Sequence, residues 1–132
     1  MPGRHLPADH SKGDANTIGG YMAVHARPAA FEGSDGLSYS VELCADETGE
    51  TDRPYGAYIL FLRWRRVGES GIEGHVETDF LTFGGSEAEA RGRIGMMRLS
   101  EVKDVLEATL RAREASGSRR RWWDAMRDEG TP

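Results

Sequence analysis

The run "AYILFLRWRR" over residues 57–66 most constrains what this chain can fold into. Its first half is almost continuously apolar, and its second half alternates apolar with Arg. A Gly-rich connection, "VGESGIEG", follows, and then "GHVETDF", in which His75, Glu77 and Asp79 alternate with Val76, Thr78 and Phe80. Two alternating segments joined by a Gly-rich loop predict an antiparallel hairpin, with side chains pointing to opposite faces at successive positions.

The alternation at the Arg end predicts that Tyr58, Leu60, Leu62 and Trp64 form the core face and that Ile59, Phe61, Arg63 and Arg65 form the open face. Register follows from matching the faces. Leu60 opposite Phe80 and Trp64 opposite Val76 put core against core and Arg63 opposite Glu77. Sliding by two, with Arg63 opposite Asp79 and Arg65 opposite Glu77, keeps the same logic. A one-residue slip would set apolar faces against charged ones.

Two further strands are predicted upstream. "LSYSVELCA" alternates cleanly, with Leu37, Tyr39, Val41 and Leu43 on one side, and "GYMAVHARPAAF" offers a strand over Tyr21–Ala26 that stops near Pro28. Downstream the period changes to helical. Ser86-x-x-Glu89 is a capping box that can open a short helix, loosened by Gly92 and Gly95. Leu99, Val102, Val105, Leu106, Thr109 and Leu110 form a helical stripe, with Ser100 as N-cap and Gly117 as stop. The predicted fold is therefore α+β: a four-stranded antiparallel β-meander with a C-terminal helix on one face, in the order β-β-β-β-α. Residues 1–19 read as a flexible, disordered N-terminal arm, residues 20–116 as one domain, and residues 117–132 as an Arg/Trp-rich tail.

Charge and cysteine content limit the function classes. Net charge is -5, but residues 1–110 hold 11 basic and 18 acidic side chains while residues 111–132 hold 6 and 4. An acidic body disfavours nucleic acid as a partner, because neutralising phosphates requires a positive surface. Cys44 is the single cysteine, so neither an internal disulfide nor a cysteine-built zinc site can form. Without a signal-peptide core or a membrane-length apolar run, the chain reads as soluble and cytoplasmic, with no membrane insertion.

Few residues carry a chemical signature. His75, Glu77 and Asp79 share one strand face but spread over about 13 Å, too far for one ion. A metal site would need two of them plus His25 or Glu42 from a neighbouring strand, and His25, His75 and Glu77 are the metal candidates. The ordinary alternative is a solvated face on which Glu77 pairs with Arg63 or Arg65. Gly92-Arg93-Ile94-Gly95 resembles the GxxG loop of the KH-type RNA module over four residues only, and no strand follows the next helix, so a hinge is the better reading. The acidic "DETGETD" lacks the Gly and Glu spacing of an EF-hand, and Cys44 has no basic neighbour in sequence to activate it. No catalytic residue and no cofactor is assigned.

The tail is harder to set aside. Arg119, Arg120 and Arg121 run directly into Trp122 and Trp123, a composition that suits protein hot spots, stacking on nucleic acid, or docking back on the domain. The expectation is a non-catalytic protein–protein interaction or self-associating module, a homodimer or a binder of another protein, using Phe61, Arg63, Arg65, Glu77, Arg120, Trp122 and Trp123. The alternative is single-stranded nucleic-acid binding through Arg63, Arg65 and the Arg119–Trp123 cluster, and a small-ligand or metal site on the polar sheet face comes third.

Overall fold

A computed structural model describes residues 7–64 and 71–129, with side chains described as far as residue 115. After a 3-10 turn at His10–Lys12, helix α1 spans Ile18–His25. Five strands follow, β1 (Ala30–Glu32), β2 (Ser38–Glu47), β3 (Tyr55–Trp64), β4 (Ile72–Glu77) and β5 (Thr82–Gly84). Helices α2 (Glu87–Ile94) and α3 (Leu99–Glu129) are the last elements among the described residues. The class is α+β, as predicted. The sheet is antiparallel with order β1-β2-β3-β4, and β5 continues along the β4 side of β3.

The predicted first strand is a helix. Thr17 caps α1, its hydroxyl accepting from the Gly20 N–H at 3.1 Å, and Ala26 ends it in the left-handed region two residues before Pro28. The first N–H groups of α1 find carbonyls outside the helix: Ile18 donates to Met97 at 2.7 Å and Gly19 to Gly95 at 2.9 Å. A Cβ on Gly19 would lie 3.0 Å from the Gly95 backbone, so a side chain there would press on the crossing of α1 and α2. Ile18 is buried in the core. The end of the segment predicted as a loose arm is thus built into the domain by Ile18, while residues 7–14 are exposed and residues 1–6 lie outside the described residues.

Gly92-Arg93-Ile94-Gly95 is likewise no hinge loop. It forms the packed end of α2, with Ile94 buried and Gly95 as the C-cap against Gly19. The Ser86 cap does form, its hydroxyl accepting from the Glu89 N–H at 3.1 Å. Helix α3 buries Val102 and Leu106 as its stripe predicts, but it begins at Leu99 and runs through Gly117 to Glu129 rather than stopping there. Tertiary packing of the first three turns sustains a helix that Gly117 alone would weaken by roughly 1 kcal/mol.

The largest correction concerns which face of β3 is inside. Ala57, Ile59 and Phe61 are fully buried beside Tyr39, Val41 and Val76, with α1, α2 and α3 contributing Ile18, Ala90, Ile94, Val102 and Leu106 to the same core. The β3–β4 register pairs Leu60 with Glu77, Phe61 with Val76, Leu62 with His75 and Arg63 with Gly74, matching neither predicted alignment. A register shift between Arg63 and Trp64 brings Trp64 opposite Ile72. Arg63 sits at the margin of the core side, where its Nε donates to the Tyr39 hydroxyl at 2.9 Å and its guanidinium lies 5.5 Å from the Tyr39 ring centroid. No helix of the described residues is long and apolar enough to cross a membrane.

Candidate functional site

With all three helices on one side, the opposite sheet face is left open among the described residues. The alternation of β3 places Tyr58, Leu60, Leu62 and Trp64 on it. Pairing puts Ser40, Glu42, Cys44 and Asp46 of β2 beside them on one flank, and His75 and Glu77 of β4 on the other. The chain after β4 extends the row, because the Phe80 ring lies over Gly56, where a Cβ would come within 2.5 Å of it. Phe80 stacks edge-on with Tyr58 at 6.1 Å between centroids and reaches Phe83 at 5.9 Å.

The result is an apolar spine running the length of the central strand, from Trp64 through Leu62, Leu60, Tyr58 and Phe80 to Phe83. Trp64 and Phe80 are each 38% exposed, and Ile72, beside Trp64, is 48% exposed. Trp64 Nε1 donates to the Ser40 hydroxyl at 2.8 Å, which holds the indole against the sheet with its ring open to solvent.

The flanks of this spine are acidic. Glu42, Asp46 and Glu77 line it, and the described strand positions of this face hold no Lys or Arg. Arg53, at the far end, lies 4.0 Å over the Phe83 ring and is paired with Glu50 at 3.0 Å. Asp46, Glu77 and Asp79 border a pocket of about 300 Å³ beside Tyr58 and Phe80. Burial, with the Asp46 carboxylate and Cys44 close by, pushes the Tyr58 phenol up to about 12. Burial also raises the Cys44 thiol, and Glu42 and Asp46 add to the rise, so it is not an activated nucleophile.

The residues singled out from sequence are dispersed by this geometry. Phe61 is in the core, and Arg63 belongs to the helix-side margin, so neither lines the open face. Glu77 does lie on the open face, opposite Leu60 rather than opposite an Arg. Arg65 lies outside the described residues, and Arg120, Trp122 and Trp123 lie on the part of α3 whose side chains are not described. His25 is at the C-terminal end of α1, its ring 4.4 Å from that of Tyr21, and does not stand on a strand beside His75. Among the described residues, no three His, Cys, Asp or Glu side chains are grouped closely enough to hold a metal ion.

A second concavity of about 1080 Å³ opens between α1, α2 and the outer edge of β2, walled largely by glycines, alanines, Met22 and Met96. Of its charged lining residues, Arg91 is paired with Glu87 at 2.8 Å on α2 itself.

Sequence reading places Leu60, Leu62, Trp64 and Phe80 in the core and Asp46 in an acidic turn, and so misses all five as residues of this sheet face. The signal was present in "AYILFL", because a strand apolar on both faces is one that expects cover on both. No protein-family model matches this chain, and no curated protein or solved structure is significantly similar to it.

Proposed function

We propose that this protein is a non-catalytic protein-interaction module whose docking surface is the open face of its sheet. One observation carries the reading: β3 has the composition of a strand covered on both sides, yet the described chain covers only the Ala57–Ile59–Phe61 side. A row of Tyr58, Leu60, Leu62, Trp64 and Phe80 with polar flanks has the anatomy of an interface, an apolar centre with a charged rim. The sign of that rim, set by Glu42, Asp46 and Glu77, favours a partner segment that is basic and carries aromatic or aliphatic anchors.

Single-stranded nucleic acid, the reading from another class, loses support on this face. Stacking platforms are present, but carboxylates stand where phosphates would lie, and Arg63 faces the other way. Cys44, the single cysteine, fits a cytoplasmic setting for such a module.

The test is selection of peptides from a random library on the immobilised full chain, followed by mapping of the selected peptides by methyl chemical shifts. Arg-containing, aromatic peptides perturbing Leu60 and Leu62, and losing binding in Leu62→Glu with an unchanged melting temperature, are the expected result. Peptides that perturb other surfaces, or that bind Leu62→Glu equally well, would overturn the reading.

A further inference from the structure

Helix α3 spans 31 residues, but its contact with the core ends at Leu110, and every residue from Arg111 to Ala115 is exposed. At roughly 1.5 Å per residue, the helix continues about 28 Å beyond Leu110 to Glu129. That stretch reverses the charge of the body: residues 111–132 hold 6 basic and 4 acidic side chains, with Arg119, Arg120 and Arg121 adjoining Trp122 and Trp123. The chain therefore carries both halves of a complementary pair, an acidic apolar face and a basic aromatic segment.

A single molecule cannot bring the two together. Val102 and Leu106 fix α3 to the helix side of the sheet, beside Phe61 and Val76, and the spine of Trp64, Leu62 and Leu60 lies on the opposite side. A continuous helix through Glu129 has no turn with which to double back around the β4 edge. Between two molecules the restriction vanishes, because a two-fold axis lets each helix end reach the face of the other and closes the assembly at two copies.

We infer that the occupant of the open sheet face is the Arg119–Trp123 stretch of α3 from a second copy of this chain, donated reciprocally in a two-fold dimer. The pocket bordered by Asp46, Glu77 and Asp79 beside Tyr58 and Phe80 has the carboxylates and rings that receive a guanidinium. The Leu60–Leu62–Trp64 spine supplies the apolar bed for the adjoining indoles. This inference rests on the sheet face being the docking surface and goes further by naming what docks.

A charge-swap experiment on the full chain decides it. One variant reverses the helix end (Arg119→Glu, Arg120→Glu, Arg121→Glu) and another reverses the face (Glu42→Lys, Asp46→Lys, Glu77→Lys). Wild type is expected to sediment as a dimer. Each variant alone should self-associate at least about tenfold more weakly, with unchanged far-UV circular dichroism, because like charges then meet at both contacts. Mixed one to one, the variants should recover a dimer, and native mass spectrometry should show it as the heterodimer, since both contacts are again complementary. If the triple face variant does not fold, Glu77→Lys mixed with Arg120→Glu repeats the test at a single pair.

A wild-type monomer would overturn the inference, as would a dimer that survives both reversals, or variants that fail to reassociate on mixing. A monomer that still binds selected Arg-rich aromatic peptides at Leu60 and Leu62 would sink the second-copy occupant while leaving the docking face standing. Failure of that peptide binding as well would sink both.

Discussion

Phe61 and Val76 face one another across the β3–β4 pairing, 0% and 1% exposed, and this contact fixes which side of the hairpin is core. Its consequence for stability is direct. Phe61→Ala should cost about 3–5 kcal/mol, the range for a buried aromatic truncation, whereas Leu62→Ala on the open face should cost about 1 kcal/mol or less. Urea denaturation of the two variants measures the contrast. A larger loss for Leu62 would mean that the even-numbered side of β3 is the core after all.

The same contact shows where legibility in the sequence ends. The α+β class, the long β2 strand, the Ser86 cap and the Val102–Leu106 stripe all follow from local patterns that admit one reading. Parity along β3 does not, because Tyr58 through Leu62 is apolar on both faces and only Arg63 and Trp64 break the tie. They break it the wrong way. An Arg at the rim of a core can bond the Tyr39 hydroxyl and keep its head in water, and a Trp can lie on an open face with its N–H on Ser40. Once parity is reversed, the site moves with it, from Phe61 and Arg63 to Leu60, Leu62 and Trp64. Helix α1 was hidden for a different reason: its apolar residues are not confined to one stripe, and two glycines, which are poor helix formers, open it where α2 crosses closely.

Glycine substitutions should divide sharply by what they meet. A Cβ on Gly84 would lie 2.7 Å from the Ala90 backbone nitrogen and 3.1 Å from its Cα, neither of which can rotate away. Gly84→Ala should therefore lift α2 from the sheet and cost about 1–3 kcal/mol. Gly74, paired with Arg63 in β4, has nothing within 4 Å of its would-be Cβ, so Gly74→Ala should be neutral or stabilising by up to about 0.5–1 kcal/mol. Thermal melts of the two variants check the pair, and equal losses would contradict the close packing of β5 against α2.

Acid should loosen α3 from the β1–β2 turn. Glu107 accepts from the Ser34 N–H at 3.0 Å and pairs with Lys103 at 3.1 Å; the Ser34 bond, then Lys103, holds its carboxyl below the ordinary glutamate value of 4.5. A depressed carboxylate adds stability that is complete above its unfolded value and is lost as pH falls through the folded one. Wild type should thus melt higher than Glu107→Gln above about pH 5 and converge with it as pH drops below 4.5. A gap between the two that widens in acid would refute this linkage.

At the alkaline end the open face has its own signature. Burial, the Asp46 carboxylate and Cys44 push the Tyr58 phenol from 10.0 to about 12, so the neutral phenol is favoured in the folded chain. The sign is opposite to that of Glu107. Stability from Tyr58 is complete below 10.0 and is lost as pH rises through about 12. Ultraviolet difference titration should show a late phenol step that disappears in Tyr58→Phe and moves to lower pH in Asp46→Asn, which removes the neighbouring charge. Tyr39 is also raised, chiefly by burial, and its own late step should persist in both variants. A guanidinium seated between Asp46 and Glu77 would stabilise the phenolate as well. In the helix-end reversal variant, whose sheet face is vacated, adding an Arg-bearing peptide should therefore draw the Tyr58 step downward and leave the Tyr39 step in place. A partner that binds without moving Tyr58 would dock somewhere other than this end of the sheet.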